Sequence, residues 1–390
     1  MNYDLTQEQT LIKGKIAAFC KSDIEPETEA LDTASFDDAN KMMKLNIKKL
    51  AGIGYLGLMH EKKYGGGDFD YMAQSVAGEE LAKACPSTAL SANATSVMFG
   101  LPVRIYGNDN QKNKYIPGVI KGEIIGGYAL TELSAGSDIA SINTRAEKKG
   151  GKWIINGTKA FVTNAPIADA FLVFAYTDKN AGHLTGITCF IVDSNAPGIS
   201  IGKPLDKMGF RGSPTSEVKF TNCEAGEDAV LGETGGGFHV IQDLQEYGKL
   251  GMAVVSCGIG AKCLELANQY SKTRESFGKP INRYQEIAFK LADMMIYIDI
   301  SRMLIYKAAW LKEIKDPEAP VLSSCAKVFA GEYTTLISSL ALQVYGGRGY
   351  IRGNPIERLY RDAKLGDIIE GTTETQRMSI AKDVLEKFAR

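Results

Sequence analysis

The sequence predicts a mainly helical α+β fold in which a small β-domain separates two helical regions. Helical spacing of apolar residues dominates roughly the first 125 residues, and short β-rich runs with turn residues follow from Gly126 to about residue 235. Long amphipathic helices then return. We therefore predict an N-terminal helical domain at 1–125, a β-barrel-like middle domain at 126–235 and a four-helix bundle at 236–390.

The N-terminal region shows helix signals in order along the chain. Residues 5–20 place apolar side chains at helical spacing after Thr6, which is a suitable N-cap. Residues 37–58 repeat the pattern and end among glycines, as helices often do. Residues 85–103 form a run of small and apolar residues, which we expect to be buried.

The middle region reads as strands, with runs at 152–165, 170–177, 186–193 and 216–223. We predict a turn at Asn156-Gly157, because Asn-Gly favours tight turns. The last region contains three long helical patterns, at 238–275, 283–314 and 319–347.

Composition narrows the classes of function. Basic and acidic residues balance, 45 against 46, so no nucleic acid or anionic membrane is expected as a partner. The first residues read as a folded helix, and we see no targeting peptide and no apolar run of membrane-spanning length, which predicts a cytoplasmic protein. Seven cysteines without a CxxC and only three histidines predict no metal site.

Three glycine-bearing segments are the strongest candidates for a binding site. They are residues 128–138, 343–350 and 369–377, and each combines glycine with hydroxyl or amide side chains. Exposed backbone N–H groups beside hydroxyls suit phosphate or ribityl oxygens. The alternative is that the glycines only terminate helices.

Taken together, these segments resemble the acyl-CoA dehydrogenase family, over essentially the whole chain. Residues 130–138 fit its aliphatic-[ST]-E-x-x-x-G-[ST]-D signature, and residues 343–364 fit Q-x-x-G-G-x-G-aromatic followed by R-D-A-K. Residues 274–285 and 161–164 match two further elements. Leu133 replaces the usual proline of the first signature, and Gly353 replaces an acidic or amide residue of the second.

The resemblance implies an FAD-dependent enzyme that converts an acyl-CoA thioester to the trans-2-enoyl-CoA. Glu370 would take the α-proton while the β-hydride goes to flavin N5, and electrons would pass to an electron-transfer flavoprotein. Ile368 and Ile369 are expected to form apolar walls that raise the pKa of the base. Some relatives carry the base on the long helix after the β-domain, where this chain has Gly248.

The resemblance also implies binding residues and an oligomer. Contacts to FAD are expected from Tyr128, Leu130, Thr131, Ser137, Phe161, Thr163, Arg274, Ser276, Phe277, Gln285, Gln343, Gly346, Gly347, Thr372 and Glu374. Contacts to the acyl-CoA are expected from Ser137, Glu246, Tyr247, Lys249 and Gly371, although Glu246 and Lys249 are equally explained as solvated surface residues. By resemblance, Arg274 and Ser276, and likewise Gln343, Gly346 and Gly347, would contact the FAD of a neighbouring subunit, which implies a homo-oligomer. The family is most often a dimer of dimers, so we expect a tetramer.

Several related chemistries stay open. An acyl-CoA oxidase or an enoyl-CoA reductase would share these motifs, and a non-catalytic flavoprotein is a further alternative. Thr88 stands where decarboxylating relatives carry arginine, which argues against a dicarboxylic substrate. A monooxygenase is disfavoured because such relatives generally lack the base at Glu370. A short-chain, medium-chain or cyclic acyl group is expected.

Overall fold

The computed structural model describes residues 4–388, in which helical regions precede and follow an eight-stranded mixed sheet, with a separate two-stranded hairpin between two of the later helices. The helices are α1 (Gln7–Phe19), α2 (Thr28–Thr33), α3 (Phe36–Gly52), α4 (Tyr71–Ala84), α5 (Pro86–Asn93), α6 (Leu101–Tyr106), α7 (Asp109–Ile120), α8 (Gly182–Gly186), α9 (Gly237–Thr273), α10 (Gln285–Glu313), α11 (Ala319–Tyr345), α12 (Pro355–Ala363) and α13 (Thr373–Phe388). The strands are β1 (Gly126–Ala129), β2 (Arg145–Lys149), β3 (Lys152–Thr163), β4 (Ala170–Tyr176), β5 (Ile187–Asp193), β6 (Ile199–Ile201), β7 (Thr215–Ala225), β8 (Val230–Leu231), β9 (Glu275–Ser276) and β10 (Lys279–Pro280). The predicted mainly helical α+β architecture is confirmed.

The N-terminal and C-terminal helices share one apolar core. This core runs from Ile12 on α1 to Ala363 on α12, and α9 lies at its centre between α4 and α11. The prediction that no apolar run reaches membrane-spanning length was wrong for α9, which is long and apolar enough by composition. However, 78% of its apolar window is buried inside the protein, which explains its hydropathy as that of a core helix.

The middle sheet has the strand order β6-β7-β3-β2-β4-β5-β8, so β6 and β8 are its two ends. Strand β1 lies off this order and pairs in parallel with β4. Strand β4 is buried on both faces. Leu172 and Phe174 point towards the helices, whereas Phe171 and Val173 point into the core between the sheet layers. The sheet is therefore held by two separate cores.

The predicted turn at Asn156-Gly157 was wrong, because β3 continues through it. The register against β7 shifts between Ile155 and Gly157, so the dipeptide forms a bulge within the strand. A Cβ on Gly157 would lie 2.3 Å from the Thr144 Oγ1. The glycine is thus required by a close approach of two segments rather than by chain reversal.

A π-helical stretch joins α5 to α6. Residues Ala94–Gly100 are wound as π-helix between these two α-helices, and all of them are buried. Wider turns of this kind are frequent at functional sites. Here the stretch carries Ala94 and Met98 into the wall of the cavity described next.

Candidate active site

One cavity of about 180 Å³ lies where the π-helical stretch, the sheet, α9 and α13 meet. Nine predicted site residues line it: Tyr128, Leu130, Thr131, Ser137, Phe161, Thr163, Lys249, Glu370 and Gly371. Residues that sequence reasoning did not assign to the site also line it, among them Leu90, Ala94, Ile139, Gln245, Thr375, Gln376 and Ser379. The folded chain thus brings together parts of the first and third glycine-bearing segments, which lie more than 200 residues apart.

Glu370 occupies the loop between α12 and α13, and its main chain is unusual. Glu370 and Gly371 both have positive φ, 59° and 82°, and a non-glycine residue rarely adopts such a conformation. Strained conformations of this kind persist where surrounding contacts enforce them, and they cluster at active sites.

The Glu370 carboxylate is poised as a base. Within residues 4–388 no hydrogen bond reaches it, and burial in the cavity raises its pKa to about 7. The positive charges of Lys327 and Lys249 act in the opposite direction and limit that rise in the pKa. A carboxylate with a pKa near 7 is a stronger base than an ordinary glutamate and is still partly ionised at neutral pH.

Gly248 lies directly against this carboxylate. A Cβ built on Gly248 would stand 2.1 Å from the Glu370 Oε2 and 2.7 Å from its Cδ. The helix α9 therefore leaves the space for the carboxylate by carrying no side chain there.

The prediction for the apolar walls was half wrong. Ile369 lines the cavity, but the side chain of Ile368 is 54% exposed and faces away from it. Adjacent residues in this loop point in different directions, so both isoleucines could not flank the carboxylate. Leu90 of α5 and Met98 of the π-helical stretch add further apolar surface to the cavity.

The sheet side of the cavity fits a flavin. Within the described chain, the hydroxyls of Thr131 and Thr163 have no protein hydrogen-bond partner, which leaves them free for a ligand. Phe161 is 58% exposed and has a φ of 56°, so a strained backbone holds an aromatic ring at the cavity edge. Free hydroxyls beside an exposed aromatic ring suit the polar edge and flat face of an isoalloxazine, so the residues present fit FAD.

A buried ion pair holds the loop that carries Thr131. Glu132 and Lys159 are in contact at 2.9 Å, with side chains 6% and 0% exposed. Glu132 also accepts hydrogen bonds from the backbone N–H groups of Asn143 and Thr144, and Lys159 donates to the Leu130 carbonyl. Sequence reasoning missed the role of this pair. The glutamate inside the first signature was the available signal.

The remaining predicted residues lie outside the cavity lining. Those predicted to serve a neighbouring subunit's FAD lie on the surface around the β9–β10 hairpin and the end of α11: Arg274, Ser276, Gln343, Gly346 and Gly347. Phe277 and Gln285, also predicted to contact FAD, are exposed in the same region. Thr372 and Glu374 follow the Glu370 loop at the start of α13. Glu246 pairs with Lys312 and Lys249 lines the cavity, so neither is a simple solvated surface residue. Tyr247 packs against Tyr71 and under the Lys312 ammonium.

Comparison with known proteins agrees with this architecture throughout the chain. Three family models match the chain in order. The model of the acyl-CoA dehydrogenase N-terminal domain matches residues 6–123, that of the middle domain matches 127–223, and that of the C-terminal domain matches 235–385.

Individual relatives cover nearly the whole chain. A 3-(aryl)acrylate reductase of Clostridium sporogenes is 38% identical over 98% of this chain and 99% of its own. The short-chain specific acyl-CoA dehydrogenase of Clostridium acetobutylicum is 35% identical over 98% and 99%. Among solved structures, butyryl-CoA dehydrogenase from Megasphaera elsdenii superposes with a TM-score of 0.92 at 34% identity, covering 99% of this chain and 100% of that one. With all three domains matched in order, the chain belongs to the acyl-CoA dehydrogenase family of FAD-dependent oxidoreductases.

Proposed function

We propose that this enzyme forms the α,β double bond of a short acyl-CoA thioester, with Glu370 as the base that removes the α-proton. The observation that carries the proposal is a carboxylate without a protein hydrogen-bond partner in residues 4–388, with its pKa raised to about 7, in the cavity that fits FAD. A proton next to a thioester is weakly acidic, so its removal needs such a base and a means of stabilising negative charge on the thioester oxygen.

Glu370 supplies the base, and its own backbone N–H is available to stabilise the charge on the thioester oxygen. Within the described residues the backbone N–H of Glu370, in the loop before α13, makes no hydrogen bond. We assign this N–H to the thioester oxygen, where a donor would stabilise the charge that develops as the α-proton leaves. Bound FAD supplies the hydride acceptor, which no side chain can provide.

A short acyl group is supported by the relatives named for short-chain substrates and by the cavity wall. Asn93 and Met98 line the side of the cavity formed by α5 and the π-helical stretch, and Gly248 and Gly251 of α9 face Glu370 and Asn93 respectively. A Cβ on Gly251 would be 3.0 Å from the Asn93 Nδ2, so Asn93 fills the space beside the helix. We propose that Asn93 limits the length of the acyl group.

We also propose that the active enzyme is a homo-oligomer, with FAD sites completed between subunits. Arg274, which directly precedes the β9–β10 hairpin, is exposed, and Phe277 within the hairpin is 95% exposed with a φ of 48°. Helix α10 exposes a series of large apolar side chains, namely Phe289, Met295, Ile296, Ile300, Met303 and Trp310. Exposed large apolar side chains in such number on one helix are typical of a subunit interface. An electron-transfer flavoprotein is the proposed electron acceptor, on the family resemblance.

The Glu370→Gln variant tests the base. It should bind FAD and acyl-CoA normally, because glutamine keeps the shape of the side chain, but its exchange of the α-proton with solvent should fall about 10²- to 10⁴-fold. The measurement is isotope exchange of the acyl-CoA in deuterated buffer, with bleaching of the flavin absorbance as a second reading. Substantial exchange by the FAD-loaded variant would remove Glu370 from this role.

Reduction of a 2-enoyl-CoA is the second candidate function, because the 38% identical relative from Clostridium sporogenes is named a reductase. The same base, protonated, would deliver the α-proton in that direction. Rates of flavin bleaching by a panel of acyl-CoA thioesters should be compared with rates of reoxidation of the reduced enzyme by the corresponding enoyl-CoAs. Faster reoxidation across the panel would favour the reductase.

A further inference from the structure

Gln376, on the first turn of α13, is attached to the main chain of the proposed base. Its side chain is buried, with 2% of the residue exposed, and its Nε2 donates to the Glu370 carbonyl at 3.1 Å and to the Gly371 carbonyl at 3.4 Å. Its Oε1 accepts from the Ser324 hydroxyl of α11 at 2.9 Å. This amide orientation follows from chemistry, because carbonyl oxygens only accept and a hydroxyl can donate.

Gly371 makes this contact possible. A Cβ on Gly371 would lie 2.5 Å from the Gln376 Nε2, so any larger residue would push the amide away from the two carbonyls. The same two residues, Glu370 and Gly371, are those with positive φ. The Gln376 amide therefore supplies part of the surrounding structure that an unfavourable backbone conformation requires.

The contacts continue from Gln376 to the cavity wall. The Ser324 hydroxyl that donates to Gln376 also accepts from the Lys249 Nζ at 3.3 Å, and Lys249 lines the cavity on α9. A chain of hydrogen bonds thus connects α9, α11 and α13 to the loop that carries Glu370. Buried networks of this kind rigidify a site when each member is satisfied.

We propose that Gln376 is a positioning residue that fixes the Glu370 carboxylate by holding the carbonyls of Glu370 and Gly371. The proposal rests on the proposed role of Glu370 as the base. A base that drifts by about 1 Å from its productive position can lose on the order of 10²-fold in rate, so the contact is significant for turnover although Gln376 need not touch the substrate.

Gln376→Met tests this, because methionine has a similar length and cannot make the three hydrogen bonds. We expect kcat to fall about 10- to 100-fold with a smaller change in KM. The acid limb of the kcat–pH profile should move to lower pH, because a loosened loop admits water to a carboxylate whose pKa is raised by burial. Ser324→Ala, which removes only one partner, should change both quantities in the same direction by less, and should add little in the double variant.

Gln111→Met is the matched control. Gln111 is also a buried glutamine, 5% exposed, and its Nε2 also binds two carbonyls, those of Asp228 and Val230, but it lies outside the cavity lining. Both the Gln111→Met and the Gln376→Met variants are expected to lose thermal stability, but Gln111→Met should keep the wild-type kcat–pH profile. FAD content, measured by absorbance, verifies that each variant is loaded.

Two results would overturn the inference: an unshifted profile and unchanged kcat in Gln376→Met, or an equal kcat loss and profile shift in Gln111→Met. Glu370→Gln is measured beside them to separate the two proposals. If it exchanges the α-proton freely, the proposed base has failed. If it is inactive while Gln376→Met behaves as wild type, only the positioning role has failed.

Discussion

Glu132 and Glu370 are two carboxylates from two of the glycine-bearing segments, and the fold treats them in opposite ways. Glu132 accepts hydrogen bonds from two backbone N–H groups and the Thr144 hydroxyl and is paired with Lys159, and these partners outweigh burial and lower its pKa. Glu370 has no such partner in the described chain, and burial raises its pKa to about 7. A buried carboxylate that is fully paired holds structure together, whereas one left without partners keeps its capacity to take a proton.

The two sites are also expected to differ in what they contribute to, folding stability for Glu132 and turnover for Glu370. The Glu132 network stabilises the loop that presents Thr131 and Ser137, so we expect its disruption to appear first as a loss of folding stability. The Glu370 loop stores an unfavourable backbone conformation and an unpaired acid, so changes there should appear first in turnover. Three substitutions test this division, in order of decreasing effect.

Lys159→Met should have the largest effect, and on stability. It leaves the Glu132 carboxylate buried without its counter-ion, and breaking a buried pair from one side typically costs about 3–5 kcal/mol of unfolding free energy. Denaturant unfolding of the FAD-loaded enzyme measures the loss.

The matched control is Lys152→Met on the same strand β3. Lys152 pairs with Glu224 at 2.7 Å, but both side chains are more than half exposed, so solvent screening leaves the pair little to contribute. If the two variants lost a similar amount of unfolding free energy, the Glu132 network would not stabilise the fold more than an exposed ion pair does.

Gly248→Ala should have an intermediate effect, and on turnover. The added methyl group would overlap the Glu370 Oε2, so the carboxylate must rotate away, and we expect kcat to fall about 10- to 100-fold. Folding stability should change little, because alanine favours the helix and offsets the crowding.

Gly260→Ala is the control on the same helix. Gly260 is buried too, but the nearest atom to an added Cβ is the Ile337 Cδ1 at 3.3 Å, at the end of a flexible side chain. Steady-state kinetics should show wild-type kcat for this variant. A wild-type kcat in Gly248→Ala would mean that the carboxylate has room to move without loss of function.

Much of the fold could be predicted because it depends on local patterns. The long helices α9, α10 and α11 follow from apolar periodicity, and the strands follow from β-rich runs. The turn predicted at Asn156-Gly157 failed because tertiary contact decided it: Gly157 is needed for the close approach of Thr144, which no local pattern records.

The site was predictable as a list of residues but not as a geometry. The motifs pointed to Glu370, Thr131 and Ser137, which the cavity brings together. The pairing of Glu132 with Lys159 joins segments 27 residues apart. The Gln376 contacts to Glu370 and Gly371 are local, but they depend on the positive φ of those two residues, which no sequence pattern records. Ile368 was misassigned because side-chain direction in an irregular loop has no sequence period. A buried lysine in α11, Lys327, likewise carries no signal in the helical pattern around it.

Lys327→Met should have the smallest effect, on the pH dependence of turnover. Lys327 is 1% exposed, and its Nζ has no hydrogen-bond partner in the part of the chain that the structure describes. Burial lowers its pKa to about 8, against the opposing influence of Asp367, Glu370, Glu374 and Glu332, so at neutral pH it is still largely positive. That charge lowers the pKa of Glu370, and its removal should move the acid limb of the kcat–pH profile to higher pH by up to about 1.

The sign of the accompanying change in stability follows from the same two groups. A carboxyl whose folded pKa is raised stabilises the fold when protonated, and this contribution is lost as pH rises from the ordinary glutamate value through about 7. Without Lys327 that loss should extend to higher pH, while removal of a buried unpaired ammonium should leave the unfolding free energy at pH 6 unchanged or higher.

The control is Lys364→Met, which removes a half-exposed ammonium paired with Asp367 and should shift the kcat–pH profile less. A limb that stayed in place in Lys327→Met would show that the charge of Lys327 does not reach Glu370, and a limb that moved to lower pH would contradict the sign of its effect.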